Sequence, residues 1–193
     1  MGLATIALWA GLAAGTGAFV DPRDDRSYPL VELAGIRWFA ANLAYETPDS
    51  YCANDEPANC DRFGRLYTWH AALAACPPGT HLSTEDEWQR LEAAFGMDEA
   101  ELAATRGRGA GVGDRLKRGG DSGLDVVFGG WRRPDGTFAV GNGHDEAAAL
   151  WVADVAGPET AWHRDLSSAR SVVWRSPVDF PYALSVRCVV DLE

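Results

Sequence analysis

Residues of the types that form binding surfaces are concentrated between about residue 145 and residue 182. Tryptophan, tyrosine and arginine are enriched at binding hot spots, and aromatic faces can also stack on sugar rings. A few carboxylates and one histidine lie among them. We therefore predict a recognition surface for a protein or glycan ligand, and its candidate residues are Trp151, Trp162, His163, Arg164, Asp165, Arg170, Trp174, Arg175, Asp179 and Tyr182.

A structural alternative applies to the aromatic members of this set. Alternate residues, Trp162 and Trp174 among them, can instead fill the core of a small, loop-rich domain. The arginines of the set, Arg164, Arg170 and Arg175, are expected to be exposed, because charged side chains are rarely buried.

Two short His and Asp combinations are candidates for metal or acid–base chemistry. His144-Asp145 and His163 with Asp165 would form such a site if the fold brought them together, although pairs of this kind also arise by chance. No nucleophile-elbow, zinc-protease, P-loop or dinucleotide-binding motif occurs in the chain. We therefore predict no catalytic residue, no metal ligand and no cofactor.

The four cysteines are predicted to form two disulfides. Cys52 and Cys60 lie in one polar loop, where only a short-range pairing is natural. Cys76 falls on the apolar face of a helical pattern, and Cys188 falls on the inward side of an alternating strand pattern. The predicted bonds are Cys52–Cys60 and Cys76–Cys188. Zinc binding is the alternative, but no metal-ligand spacing of cysteine or histidine occurs.

The first 18 residues have the pattern of an export signal. Residues 3–14 form an apolar run too short to span a membrane, and small residues precede Phe19, before which cleavage is expected. Because no basic residue precedes the run, a buried strand or a start further upstream are the alternatives. Export and an even cysteine count together predict an extracellular, cell-surface or periplasmic protein with no membrane span.

The net charge argues against one class of partner. There are 17 basic and 28 acidic residues, so the net charge is −11, and no basic run occurs. Because contacts with phosphates need clustered lysine and arginine, we expect no nucleic-acid partner.

The elements that must position these residues follow from turn signals and periodicity. A hairpin is predicted around the turn Ala34-Gly35, and helices are predicted over 68–76, after a capping box at Thr84 and Glu87, and more weakly over 98–105. A Gly-rich region follows, and strands are predicted over 150–153, 161–165, 171–175 and 183–190. This order predicts one α+β domain over residues 19–193, in which the first and last strands pair.

Four separated blocks of this sequence resemble the Fibrobacter succinogenes major paralogous domain family. The resemblance covers about residues 21–191 and includes all four cysteines in place. The blocks are DPRDDRSYPLVELAGIRWFAANL, YCANDEPANCDRFGRLYTWHAALAACPPGTHLSTEDEW, GLDVVFGGWRRPDGTF and ALSVRCV.

That family is similar to the formylglycine-generating enzyme group and, more distantly, to C-type lectin-like domains. The resemblance implies a C-type lectin-like α+β fold, with two helices, a twisted antiparallel sheet, adjacent termini and a long loop-rich region that carries function. It also brings calcium into consideration, because lectin-like folds bind it through loop carboxylates and carbonyls. The calcium-dependent sugar-binding signatures are, however, missing from the chain.

Three functional hypotheses remain open. The leading one is a secreted or cell-surface binding module without catalytic activity, since similar lectin-like domains are displayed binding proteins. The second is an oxidase like the formylglycine-generating group, which uses a pair of cysteines near the chain end, where this sequence has only Cys188. The third is a structural surface domain with no specific ligand.

Overall fold

The computed structural model describes residues 17–139 and 146–191. Short strands dominate this part of the chain. The strands are β1 (Ala18–Val20), β2 (Ser27–Leu33), β3 (Ile36–Phe39), β4 (Ser50–Tyr51), β5 (Leu66–Thr68), β6 (Thr80–Leu82), β7 (Arg106–Arg108), β8 (Trp131–Arg132), β9 (Phe138–Ala139), β10 (Ala147–Gly157), β11 (Thr160–Ser167), β12 (Val173–Asp179), β13 (Ala183–Ser185) and β14 (Cys188–Val190). The helices are α1 (Pro57–Phe63), α2 (Trp69–Ala75), α3 (Glu85–Ala94), α4 (Glu99–Ala103) and α5 (Val112–Leu116), and a 3₁₀ turn spans Ala53–Asp55.

The strands form two sheets that are almost entirely antiparallel. The smaller sheet has the order β1-β2-β3-β14-β6, and the larger has the order β4-β5-β13-β10-β11-β12-β7, with the β8–β9 hairpin attached to β13. Among the named strands of the described residues, only β10 and β13 pair in parallel. The α+β class expected from the order of elements is therefore confirmed.

The first hairpin agrees with the prediction, and its second strand pairs with the last strand of the chain. Ala34 and Gly35 both adopt positive φ, of 54° and 73°, which is the backbone of the tightest hairpin turns. Val189 of β14 pairs with Trp38 of β3, so the last strand lies beside the second strand of the predicted hairpin and not beside its first strand.

The helix predictions are confirmed apart from small shifts at the ends. Thr84 caps α3 as expected: its hydroxyl accepts from the Glu87 amide, and the Glu87 carboxylate accepts from the Thr84 amide. Helix α1 was not predicted, because its seven residues lie in a polar segment without apolar periodicity. The residue Pro57 at its first position was the available signal.

The strand predictions were correct in position but wrong in length. The pattern over 150–153 marks the middle of β10, whose eleven residues begin at Ala147. The pattern over 183–190 contains two strands, β13 and β14, which belong to different sheets. The chain passes between the sheets at Val186 and Arg187, both of which are fully buried.

Arg187 holds three segments together at this crossing. Its guanidinium donates to the carbonyl of Phe39 at 2.8 Å, to Oδ1 of Asn42 at 2.7 Å and to the carbonyls of Leu124 and Asp125. Burial lowers the pKa of Arg187 to about 9, so the group is still protonated at neutral pH. A buried charged group satisfied by uncharged oxygens therefore ties the crossing between the sheets to the end of β3 and to the loop at residues 124–125.

The central strand β10 is covered on both faces. Ala148, Leu150 and Val152 pack into one apolar cluster, which includes α3, and Ala149 and Trp151 pack into the other, which includes α2. Successive side chains of a strand point to opposite faces. The unbroken apolar run of this strand is therefore the signature of a strand buried on both sides.

Both predicted disulfides are present. Cys52 is bonded to Cys60 across a separation of eight residues, and Cys76 is bonded to Cys188 across a separation of 112 residues. The longer bond joins the end of α2 to the start of β14, which ties a helix to the smaller sheet.

Removing the two disulfides separately is expected to have unequal effects. Loss of a bond that closes a loop of about 100 residues costs about 4–5 kcal/mol of unfolding free energy in chain-entropy terms, and loss of a bond that closes a short loop costs about 2–3 kcal/mol. The double variant Cys76→Ala with Cys188→Ala should therefore be less stable than Cys52→Ala with Cys60→Ala in urea denaturation. Equal losses would contradict the topological argument.

Candidate functional site

Strand β11 carries four of the ten predicted recognition residues, and it divides them between two faces. Trp162 and Leu166 pack with the cluster beneath α3, and Arg164 reaches the carboxylates of that helix. Residues at odd positions point the other way, so His163 and Asp165 lie on the opposite face. The predicted set is therefore not one surface.

An open groove lies on that opposite face. We call it the β11 groove and define it by its polar and aromatic wall. That wall consists of Trp131, Arg133, His163, Asp165 and Tyr182. The cavity measures about 310 Å³, and its remaining lining is apolar, from Ala149, Val178 and Leu184. Three predicted residues, His163, Asp165 and Tyr182, thus meet in one concavity.

His163 is uncharged at neutral pH in this groove. Burial lowers its pKa to about 4, since the hydrogen bond between its Nδ1 and the carbonyl of Ser176, at 2.8 Å, compensates only in part. Because a carbonyl only accepts, Nδ1 must carry the proton. The Nε2 atom is then a hydrogen-bond acceptor.

Trp174 of β12 is the register partner of Asp165 of β11, so the two side chains lie on the same face of the sheet. The ring lies over Gly107 of the neighbouring strand β7, where an added Cβ would come within 3.1 Å of it. The exposed guanidinium of Arg170 lies 5.3 Å from the ring centroid. Trp174 is half-buried, so part of the ring is accessible beyond the groove.

Trp151 does not belong to a recognition surface, which corrects the prediction. It is fully buried, and its indole Nε1 donates to the carbonyl of Tyr67 at 2.7 Å. It was assigned by residue type, but its place on the doubly covered strand β10 puts it in the core.

The expectation that Arg164 and Arg175 are exposed was wrong. Both are buried and, with Arg108, they bind two glutamates of α3. We call this group the α3 ion cluster. Its members are Glu85, Glu92, Arg108, Arg164 and Arg175. Arg170, by contrast, is exposed as expected.

The α3 ion cluster pairs three guanidiniums with two carboxylates at short distances. Nε of Arg164 lies 2.7 Å from Oε1 of Glu92, and Nε of Arg175 lies 2.8 Å from Oε1 of Glu85. Burial disfavours the Glu85 carboxylate, but Arg164 and Arg175 outweigh it, so the pKa of Glu85 is below its ordinary value. Burial lowers the pKa of Arg108 to about 10, although Glu92 opposes this shift.

The remaining two predicted residues lie elsewhere. Trp162 is half-buried on the α3 side, with the guanidinium of Arg175 only 3.7 Å from its ring centroid. Asp179 is exposed and lines a different cavity, together with His70 and Phe180. Neither belongs to the β11 groove.

Trp131 and Arg133 were not predicted as site residues. They alternate around Arg132 at the β8–β9 hairpin, so both reach the groove, while Arg132 stacks over the Tyr51 ring at 4.0 Å. The available signal was a Gly-Gly-Trp segment followed by a Pro-Asp-Gly turn. This pattern indicates an aromatic residue on a short hairpin, but it does not indicate which part of the fold the residue contacts.

Other sequence expectations meet the structure only in part. His144 and Asp145, and most of the expected export signal, lie outside the described residues; Ala18, after which cleavage is expected, is the first residue of β1. Within residues 17–139 and 146–191 no group of three or more His, Cys, Asp or Glu residues is placed to hold a metal ion. In the same part of the chain, no helix has the length and apolarity needed to cross a membrane.

The fold and groove thus define an α+β protein with an aromatic and polar concavity on its larger sheet. Comparison with known families adds an identity: the model of the Fibrobacter succinogenes major domain matches residues 31–190, and the chain belongs to this family. No curated protein matches the chain, and no solved structure matches it either.

Replacing Glu92 with glutamine should destabilise the protein strongly. The change leaves the guanidiniums of Arg108 and Arg164 buried without a full counter-charge, and disrupting a buried ion pair in this way costs about 3–5 kcal/mol. Asp86→Asn, on the same helix, is the control, because its exposed pair with Arg90 contributes about 0.5 kcal/mol or less. Urea denaturation measures both, and similar losses would contradict a structural role for the cluster.

The pKa of His163 predicts a stability change at acidic pH. Because the unfolded imidazole binds a proton near pH 6.5 and the folded one only near pH 4, stability should fall as the pH drops through this window. His163→Gln should reduce that fall in denaturation curves recorded between pH 7 and pH 4.

His81 contributes to stability with the opposite pH dependence. Burial opposes its charge, but hydrogen bonds to Asp191 and Glu87 outweigh burial and hold its pKa above the ordinary value. Its contribution to the free energy of unfolding is therefore complete below about pH 6.5 and is lost as the pH rises through the folded pKa.

The His163 prediction would be contradicted if the free energy of unfolding fell with decreasing pH as steeply in His163→Gln as in the unmodified protein.

Proposed function

We propose that this protein is a secreted or cell-surface ligand-binding module, without catalytic activity, and that the β11 groove binds a protein or glycan ligand. One observation carries the proposal. Two aromatic rings, a carboxylate, a guanidinium and a neutral imidazole converge from three separate segments on one concavity. Ligand sites combine apolar walls with a few convergent polar groups in this way.

The chemistry of the wall suits recognition more than reaction. Trp131 and Tyr182 offer rings that can stack on a sugar or pack against an apolar side chain, and aromatic residues dominate binding hot spots. Asp165 and Arg133 add charged groups that can orient polar ligand atoms. The cavity, at about 310 Å³, falls at the small end of ligand pockets.

The floor of the groove is built on buried strands, which favours binding. Ala149 and Leu184 come from β10 and β13, both of which are buried in the larger sheet. A ligand site built on strands loses less conformational freedom on binding than one built on loops. The groove is thus preorganised on its apolar side.

We further propose that the fold is C-type lectin-like, as the family resemblance implies. Three features support this: the early and final strands share one sheet, two helices flank the sheets, and a disulfide links α2 to β14. The long Gly-rich region between α4 and β10 corresponds to the expected loop-rich part. Two disulfides also support a location outside the cytosol.

No observation favours the alternative oxidase. All four cysteines of the chain are in disulfides, so Cys188 is not available as a reactive thiol. A thiol count on the denatured, unreduced protein discriminates between the hypotheses, since a labelled Cys188 would support the oxidase. Calcium stays outside the proposal, because no motif for it occurs.

The binding proposal is tested by screening the folded protein against immobilised glycans and extracellular proteins. For any ligand found, Trp131→Ala and Tyr182→Ala should each weaken binding at least tenfold, about 1.4 kcal/mol, because each removes an aromatic wall of the groove. Asp179→Asn is the control and should leave the affinity unchanged, since Asp179 lies outside the groove.

Circular dichroism and thermal unfolding confirm that each variant folds. A ligand whose affinity both aromatic variants leave unchanged would refute the β11 groove as the site. Absence of any ligand across the screen would support the hypothesis of a structural surface domain instead.

A further inference from the structure

A second cavity, of about 220 Å³, shares no lining residue with the β11 groove. It lies between the start of β2, helix α1 and the loops around residues 42 and 118–127. Three arginines line it: Arg26, Arg62 and Arg118. We call it the arginine cavity.

Two of these arginines make no ion pair within the described residues. Arg26 is paired with Asp61 at 2.6 Å, which neutralises both groups. Arg62 and Arg118 are exposed, and neither makes an ion pair with any residue in the described part of the chain. The ring of Phe63, 4.6 Å from the Arg62 guanidinium, supports that side chain.

A fourth guanidinium lies directly behind the cavity wall. Arg187 donates to Oδ1 of Asn42 and to the carbonyl of Asp125, and Asn42 and Asp125 both line the cavity. Among the described residues Arg187 makes no ion pair, and its pKa of about 9 leaves it charged at neutral pH.

The local charge is therefore opposite to that of the whole protein. Once Arg26 and Asp61 cancel, the charged groups left among the described lining residues are Arg62, Arg118 and Asp125, and Arg187 adds a further positive charge behind the wall. The chain as a whole carries −11. A concavity lined by one sign of charge concentrates ions of the other sign.

We propose that the arginine cavity binds a small oxyanion: a carboxylate, sulfate or phosphate group. Guanidinium groups are planar forks of donors that match such oxygens in bidentate hydrogen bonds. The cavity is smaller than the usual range for drug-sized ligands, which starts at about 300 Å³, so it suits one charged group of a ligand rather than a whole one. This inference goes beyond the proposed function, because the two sites share no residue.

Nuclear magnetic resonance titration of the full chain with three probes tests the proposal. Sodium sulfate, sodium phosphate and sodium acetate are added separately, with sodium chloride holding the ionic strength constant. We expect saturable shifts of the Asn42, Gly64 and Arg118 amides with at least one probe. Sulfate or phosphate binding would assign a tetrahedral oxyanion, and acetate binding would assign a carboxylate.

The double variant Arg62→Ala with Arg118→Ala should raise the dissociation constant at least tenfold. Both side chains are exposed and unpaired within the described residues, so the fold should persist. Arg37→Ala is the matched control, since Arg37 is an exposed arginine on β3 that does not line the cavity, and it should leave the constant unchanged.

Two results would overturn the proposal. Shifts that grow linearly with every probe would show that no site exists. A dissociation constant that is the same in the double variant and in the unmodified protein would show that the arginines do not form it. Neither result touches the β11 groove, so the two proposals fail separately.

Discussion

The register of strand β11 is set by one buried interaction, between Arg164 and the glutamates of α3. Side chains of a strand alternate between faces, so a slip of one residue would exchange the two faces completely. Arg164 binds Glu92 and Glu85 beneath α3 and is completely buried. His163 and Asp165 must then point away from the helix, and the β11 groove exists because of this constraint.

Buried ion pairs of this kind specify geometry more than they add stability. Desolvation of the charges offsets much of their attraction, whereas leaving one charge without its partner is costly. Registers of β11 in which Arg164 or Glu92 is buried without a partner are therefore disfavoured. Arg187 makes no ion pair within the described residues, but it also specifies geometry where the chain crosses between the sheets, because its guanidinium donates to the carbonyls of Phe39, Leu124 and Asp125. The buried guanidinium of Arg187 also adds a positive charge behind the wall of the arginine cavity.

Local features of the fold were predictable because their causes are local. The Thr84 capping box, the Ala34-Gly35 turn and the two disulfides each depend on residue types at short spacing or on a simple periodicity. The position of β10 was likewise visible as an apolar run. Its length was not, because the extra residues are held by pairing with β11 rather than by their own pattern.

The candidate site was predictable only in part. Residue type marked His163, Asp165 and Tyr182, which meet in the β11 groove, but it marked the buried Trp151 and Arg164 equally well. The exposure of a side chain depends on what packs against its face of the strand, and the residues of the strand alone do not indicate this. Arginine is usually exposed, so only the presence of carboxylates from α3 reveals that Arg164 is not.

The amino-acid sequence by itself determined the family, the α+β class, the disulfides, the caps and the turns of this protein. The tertiary structure alone decided which face of each strand is covered, and therefore which aromatic and charged residues are accessible. The physical reason is that propensity, capping and periodicity act over a few residues, whereas the burial of a side chain depends on segments far apart in the chain. Trp131 lies beside His163 only because the β8–β9 hairpin pairs with β13.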